Sequence, residues 1–169
     1  MITQEIADYL LALPKHIIEG DAPLDRKNYS PSIPVNDRLF MVSKEDTDVS
    51  FFLDITQSAK KLLKLTLHFQ EKDATIGLLR VDFNGRHFNP VIANDKVPAI
   101  FKPFAGQWIE ESHIHYFFEG YKPLAWAIPL KRDDSFAIKE FADTNDIGDI
   151  IQEFGRRINL QTIIATTIQ

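Results

Sequence analysis

The sequence predicts a single α+β domain, residues 1–169, in which an antiparallel sheet of about seven strands carries N- and C-terminal helices packed on it. Three observations lead to this prediction. The chain has 169 residues, a common size for one domain. Its central part consists of short segments with two-residue hydrophobic periodicity, and helical periodicity is confined to the two ends. Because turns join the central segments, antiparallel pairing is favoured.

The N-terminal helix is predicted from Thr3, a suitable N-cap, which is followed by helically spaced apolar residues up to Leu13. A further helical turn over 17–18 is compatible with the pattern, and Gly20 ends the segment. Residues 21–36 contain three prolines and predict a loop that is ordered against the body of the domain.

Alternating apolar residues predict the strands of the sheet. The clearest alternation places four apolar residues of 61–70 on one face and His68 on the other. Surface exposure is expected for His68, and the alternative is that it joins the candidate site if its strand face is the same one. The predicted strands are 39–43, 49–55, 61–70, 76–83, 112–118 and 124–130.

Less regular segments connect and follow these strands. Asn84-Gly85 is a hairpin-type turn signal, so His87 is expected on or just after the returning segment. Residues 90–111 contain three prolines and predict a long functional or lid-like loop. Helical spacing returns over 146–157, and 160–169 are predicted to form a short strand or a docked tail.

Composition excludes several classes of protein and of site. The chain has no cysteine, which excludes disulfides, thiolate zinc sites and a cysteine nucleophile and suits a reducing compartment. A net charge of −5 provides no broad positive field for nonspecific nucleic-acid binding. No signal-peptide pattern and no apolar run of about 20 residues is found, so we expect a cytoplasmic protein without membrane contact.

Five residues form the predicted catalytic site: Arg80, Asp82, His87, His113 and His115. Arg80 and Asp82 lie two residues apart on one predicted strand, and so do His113 and His115 on another, so each pair shares one face of its strand. Taken alone, the first pair is typical of a salt bridge and the second of hydrogen-bonded histidines. Should the two strand faces meet beside His87, all five side chains converge.

Two chemistries suit such a cluster. A divalent transition metal is the candidate cofactor, with His87, His113 and His115 as its ligands and Asp82 as a further ligand or as the orienter of a histidine. Metal-free phosphodiester cleavage is the alternative. There, one histidine acts as base, another acts as acid, and Arg80 stabilises charge on the phosphate.

The stretch from Leu78 to Pro90, which contains the pattern R-x-D-x-x-x-x-H-x-N-P, is followed by a His-x-His pair. This layout resembles a group of small uncharacterised bacterial proteins often carried on prophages and mobile elements. It is also distantly similar to TumE-type toxins of toxin–antitoxin pairs, which carry an R-Y-D-N stretch with nearby histidines and a later His-x-His. The resemblance implies a site at the same five residues.

Three classes of function follow, in order of preference. The first is a toxin-like or nuclease-like enzyme that uses the histidine cluster on RNA or nucleotides. The second is a metal-binding or small-ligand-binding protein. The third is a non-enzymatic interaction protein of a mobile element, related to host defence or to a toxin–antitoxin pair, whose acidic charge suits a basic protein partner. A homodimer formed through an edge strand at 124–130 is a further candidate assembly.

Overall fold

The computed structural model describes residues 2–168 and confirms the predicted α+β class. Its helices are α1 (Gln4–Ala12) and α2 (Ile147–Arg157). Its strands are β1 (His16–Glu19), β2 (Ala22–Pro23), β3 (Arg26–Tyr29), β4 (Asn36–Val42), β5 (Ser50–Gln57), β6 (Leu65–Glu71), β7 (Ile76–Phe83), β8 (His87–Phe88), β9 (Trp108–Ile109), β10 (His113–Tyr116), β11 (Trp126–Pro129) and β12 (Ile163–Thr166). Within residues 2–168, neither helix is long and apolar enough to cross a membrane.

Eight of the strands form one antiparallel sheet in the order β11-β10-β7-β6-β5-β4-β1-β2. Two small sheets stand beside it. The strand β12 pairs in parallel with β3, which confirms a strand within the C-terminal segment. The strands β8 and β9 form an antiparallel ribbon. Five of the seven neighbouring pairs in the large sheet are joined directly by connections of two to nine residues, as antiparallel pairing allows.

The core lies on one face of the large sheet. Antiparallel register aligns alternating apolar residues into rows, because residues two apart on a strand share a face. One such row consists of Leu39, Leu53, Phe69 and Leu79. Both helices bury residues in the same core, namely Ala7 and Leu10 of α1 and Ile147, Ile150, Ile151 and Phe154 of α2.

The opposite face of the sheet carries polar rows in the same register. One row crosses five strands with Arg38, Asp54, His68, Arg80 and His115. The adjacent row consists of Thr56, Thr66, Asp82 and His113. We call this surface the polar face. Its rows bring residues far apart in the chain to neighbouring positions on β6, β7 and β10.

Two expectations about the N-terminal third of the chain are wrong. The further helical turn over 17–18 is absent, because β1 occupies those residues and buries Ile17 against β4. Pro14 lies two residues before the start of β1 and lacks the N–H that a continuing helix would need. The predicted loop 21–36 contains β2 and β3, since its residues find pairing partners in β1 and in the distant β12.

Residues 85–112, which we call the 85–112 excursion, leave the large sheet after β7 and return at β10. The ribbon of β8 and β9 closes the two ends of this excursion. Asn89, which is fully buried, joins it to the edge strand β11. The Asn89 amide donates to the Ala127 oxygen and accepts from the Ala127 nitrogen, each over 2.8 Å. The predicted long loop is therefore an ordered segment that packs beside the polar face.

Candidate functional site

All five predicted site residues come together on the polar face. The strands β7 and β10 are neighbours, with His113 opposite Asp82 and His115 opposite Arg80. The third histidine, His87, arrives from β8. Its ring centroid lies 4.5 Å from that of His115 and 6.0 Å from that of His113. The ring centroids of His113 and His115, both on β10, lie 4.8 Å apart.

The Asp82 carboxylate is the centre of this cluster and is almost fully buried. Arg80 donates to it in bidentate fashion, from Nε to Oδ2 over 2.7 Å and from Nη2 to Oδ1 over 3.0 Å. Thr66 donates to Oδ1 over 2.6 Å, and Nε2 of His115 lies 2.9 Å from Oδ2. Burial alone would raise the pKa of Asp82, but the hydrogen bonds from His115 and Arg80 outweigh it and hold that pKa well below its usual range. Asp82 is therefore a carboxylate at neutral pH.

The two histidines of β10 are oriented by backbone carbonyls. Nδ1 of His113 lies 2.7 Å from the Glu111 oxygen, and Nδ1 of His115 lies 2.9 Å from the Leu124 oxygen. Because a carbonyl only accepts hydrogen bonds, both Nδ1 atoms carry protons and donate. Both Nε2 atoms then face Asp82, at 3.6 Å for His113 and 2.9 Å for His115. At 2.9 Å, Nε2 of His115 donates to the carboxylate, so a metal ion bound to this nitrogen would take the place of the donated proton. Metal-binding histidines usually have their second nitrogen fixed in this way.

Asp82, His113 and His115 can hold a metal ion. One ligand atom from each lies within 4.8 Å of the other two, and all three residues are buried. Two ligands of a tetrahedral zinc ion lie about 3.3 Å apart, and the two nitrogen–oxygen distances, 2.9 and 3.6 Å, bracket that value. Burial lowers the pKa of His113 to about 4, which keeps its imidazole neutral, as metal binding requires. Two nitrogens and one oxygen suit a divalent transition metal with an open coordination position.

His87 stands beside this group with a different hydrogen bond. Its Nε2 lies 2.7 Å from the Ala125 oxygen and therefore donates, which leaves Nδ1 unprotonated. Burial lowers the pKa of His87, so the ring is neutral at neutral pH. The group of converging ligand atoms contains Asp82 where the sequence-based set has His87. A metal-binding role for His87 stays a prediction.

The cluster forms one wall of a cavity of about 500 Å³. Four of the five histidines of the chain line it, and His16 is the exception. The expectation that His68 is exposed is wrong, because its ring is half-buried and lies opposite Arg80 in the register of β6 and β7. Burial and the charge of Arg80 both lower the pKa of His68.

Sequence reasoning missed four further residues of this site. Thr66 donates to Asp82, and Gly77 keeps open a space where a Cβ would lie 2.6 Å from the Leu124 side chain. Arg86 and Lys122 add positive charge to the cavity wall. The alternation of 61–70 places Thr66 on the same face as His68. Knowledge of the register between β6 and β7 would therefore have placed Thr66 opposite Asp82. No comparable signal marks Lys122, which lies on a turn.

The chain matches the model of a known protein family. No curated protein and no solved structure matches the chain. The model of one family, described as "Family of unknown function (DUF6978)", matches residues 2–160. This range includes the whole Asp82, His113 and His115 group and the 85–112 excursion. The chain therefore belongs to this family of unknown function, DUF6978.

Proposed function

We propose that the pocket cleaves phosphodiester bonds in RNA or nucleotides with the assistance of a divalent transition metal held by Asp82, His113 and His115. One observation carries this proposal. The metal-binding group lies in the wall of a cavity whose other charged lining residues are cations, namely Arg80, Arg86 and Lys122. A site of this composition suits an anionic substrate with a phosphate group.

Arg80 is placed to bind the phosphate. Its Nε and Nη2 atoms donate to Asp82, and its side chain remains 41% exposed toward the cavity. The carboxylate fixes the plane of the guanidinium, so the remaining N–H groups have a fixed direction. A guanidinium held in this way recognises phosphate oxygens in bidentate fashion. Arg86 and Lys122 supply further positive charge.

His87 is placed to move a proton. Its unprotonated Nδ1 and lowered pKa make it a base at neutral pH. When a metal ion is bound, it would polarise a phosphoryl oxygen and lower the pKa of a bound water. The base, the cations and the metal ligands thus occupy one wall of the cavity, as phosphodiester cleavage requires.

The test is cleavage of single-stranded RNA by the purified chain supplied with zinc, manganese or nickel. We expect His113→Asn to abolish cleavage, because it removes one ligand and keeps an amide that can donate to Glu111. We expect His87→Ala to lower the rate by about 10²-fold or more, because it removes the base. His16→Ala is the matched control, since His16 lies outside the cavity, and should cleave like the wild type. Cleavage that survives in His113→Asn would refute the proposal.

A second candidate function rests on a specific observation. Both oxygens of Asp82 already have hydrogen-bond donors among the residues 66, 80 and 115. Such a saturated network also suits an interaction protein, or a ligand-binding protein without turnover, in which the cluster stabilises a strand face. This candidate predicts no cleavage with any metal and unchanged partner binding in His113→Asn.

The biological setting belongs to the same proposal. We place the chain in the cytoplasm, as a toxin-like protein of a mobile element with similarity to TumE-type toxins. The R-x-D pattern and the later His-x-His pair support this setting. We expect expression of the wild type to arrest growth and expression of His113→Asn to leave growth normal. We also expect a neighbouring gene that encodes a helix-turn-helix protein. Normal growth on expression of the wild type would contradict the toxin assignment.

A further inference from the structure

We propose that Phe88 and Trp108 form a nucleobase-stacking subsite, so that the pocket takes single-stranded RNA by a base and its phosphate together. The proposal rests on the proposed function for the identity of the ligand as a nucleic acid. It adds a second recognition element outside the cavity, on the ribbon of β8 and β9.

Phe88 and Trp108 face each other across this ribbon. Their ring centroids lie 5.2 Å apart, and the residues are 44% and 56% exposed. Large aromatic side chains are usually buried, and an exposed aromatic pair at a rigid position marks a binding surface. Exposed aromatic rings of this kind are the platforms on which the bases of single strands stack.

The ribbon connects the aromatic pair to the cavity. Successive strand residues project to opposite sides, so His87 faces the cavity while Phe88 faces outward. Arg86 links the two sides. Its guanidinium carbon lies 4.0 Å from the centroid of the Trp108 ring, and the same residue lines the cavity. A base stacked on Trp108 would therefore bring its phosphate next to Arg86.

The far side of Trp108 carries charges of both signs. A groove there is lined by Trp108 together with Lys131 and Arg132, and also by Glu110 and Glu111. Lys131 pairs with Glu111 over 3.1 Å, and Arg86 lies 3.6 Å from Glu110. Among residues 2–168, Arg132 has no ion-pair partner.

The surroundings of the aromatic pair thus carry three positive charges, on Arg86, Lys131 and Arg132, and two negative charges, on Glu110 and Glu111, in a chain whose net charge is −5. This local reversal of charge favours a polyanion that carries flat rings over an apolar protein segment. Single-stranded RNA has both properties.

The chain provides its own reporter for the test. It has two tryptophans, and Trp126 is fully buried, so quenching by a stacked base acts on Trp108. The fluorescence of the wild type is measured during titration with a short uridine oligonucleotide and, separately, with inorganic phosphate. We expect quenching by the oligonucleotide and none by phosphate. Quenching by neither ligand would overturn the subsite.

Variants of the pair measure its contribution to affinity. Binding of a labelled oligonucleotide should weaken between about fivefold and about 150-fold in Trp108→Ala and in Phe88→Ala, because each stacked base contributes at that level. Trp108→Phe should retain most of the affinity, since a ring remains. Phe40→Ala is the matched control, because Phe40 is 42% exposed and lies on β4, outside the ribbon and the cavity lining. Thermal unfolding checks that each variant folds.

The outcomes separate the subsite from the proposed function. Base-dependent quenching without any RNA cleavage supports the subsite and rejects only the catalytic proposal. In the opposite case, the wild type cleaves RNA, and Trp108→Ala and Phe88→Ala bind RNA as strongly as the wild type. This result overturns the subsite and leaves the catalytic proposal unchanged. In that case the aromatic pair would belong to a protein interface instead.

Discussion

At the scale of single residues, Lys15 connects the two helices to the sheet. It is fully buried, and its Nζ donates to the oxygens of Leu11, Leu13 and Ile158 over 2.9, 2.7 and 2.9 Å. These carbonyls belong to the C-terminal ends of α1 and α2, where the helix dipoles favour a cation. The ammonium also lies 5.0 Å from the centroid of the Phe51 ring.

The titration of Lys15 predicts a pH dependence of stability. Burial lowers the pKa of Lys15 from 10.5 to about 7. Between these values the unfolded state binds more protons than the folded state, so the free energy of unfolding rises with pH. We expect urea unfolding to show this rise from pH 7 to pH 9 in the wild type and a flatter profile in Lys15→Met. Identical slopes in the two proteins would show that Lys15 does not titrate in this range.

A second prediction at this scale concerns the charge of Asp82. Its side chain is 8% exposed and accepts hydrogen bonds from Thr66, Arg80 and His115, so Asp82→Asn removes the buried charge and places an amide donor among these donors. We expect the free energy of unfolding to fall by about 3 kcal/mol, as when one partner of a buried pair is removed. Asp54→Asn is the matched control, because Asp54 pairs with Arg38 on the same face and is 27% exposed. There the loss should stay below about 1 kcal/mol, and equal losses in urea unfolding would contradict this account of the site.

Sequence predicted the site residues better than their roles. The sequence could predict Arg80, Asp82, His113 and His115, because residues two apart on a strand share a face. The sequence could not predict that Asp82, and not His87, supplies a ligand atom to the converging group, because this depends on the hydrogen bond of His87 to Ala125. Nothing in the sequence indicated that Lys15 is buried, since its hydrogen-bond partners lie at the ends of two helices from opposite ends of the chain.

At the scale of elements, the 85–112 excursion depends on Asn89. Besides its two bonds to Ala127, the Asn89 amide donates to the Phe104 oxygen over 3.2 Å. The side chain thereby occupies the N–H and C=O of Ala127 on the edge strand β11. Those are groups that edge-to-edge pairing at 124–130 would use, and a homodimer through this edge stays a prediction.

Asn89→Ala should therefore loosen the excursion. The substitution removes three hydrogen bonds from a buried position, and we expect a loss of about 2–3 kcal/mol in stability. Hydrogen exchange should accelerate at the amides of β8 and β9 and stay slow in β4, β5 and β6, because the ribbon can open separately from the sheet. Uniform acceleration across the whole chain would show instead that the excursion unfolds only with the sheet.

Long elements were predictable and short ones were not. The alternation of β6 and the apolar stripe of α2 identify those elements because each buries one face along its whole length. The strands β2, β8 and β9 have two residues each, too few for any periodicity. They exist because tertiary contacts hold them, such as the bonds of Asn89 to β11.

At the scale of the whole molecule, one sheet separates two environments. Its apolar face is covered by both helices, and its polar face carries the group of Asp82, His113 and His115 and the cavity. The overall charge of −5 does not show that cations outnumber acids in the cavity wall, where Asp82 is the only acidic lining residue among residues 2–168. Hydrophobic periodicity therefore predicted the fold class, whereas net charge gave no indication of the local charge on which the proposed substrate depends.

Metal titration of the chelator-treated chain tests the central claim most directly. Calorimetry with zinc should give one ion per chain for the wild type. Binding should weaken by more than about tenfold in Asp82→Asn and in His113→Asn, since each removes a ligand atom. His16→Asn should bind like the wild type. Absence of zinc binding in the wild type, or equal affinity in His113→Asn, would contradict the assignment of Asp82, His113 and His115 as a metal centre.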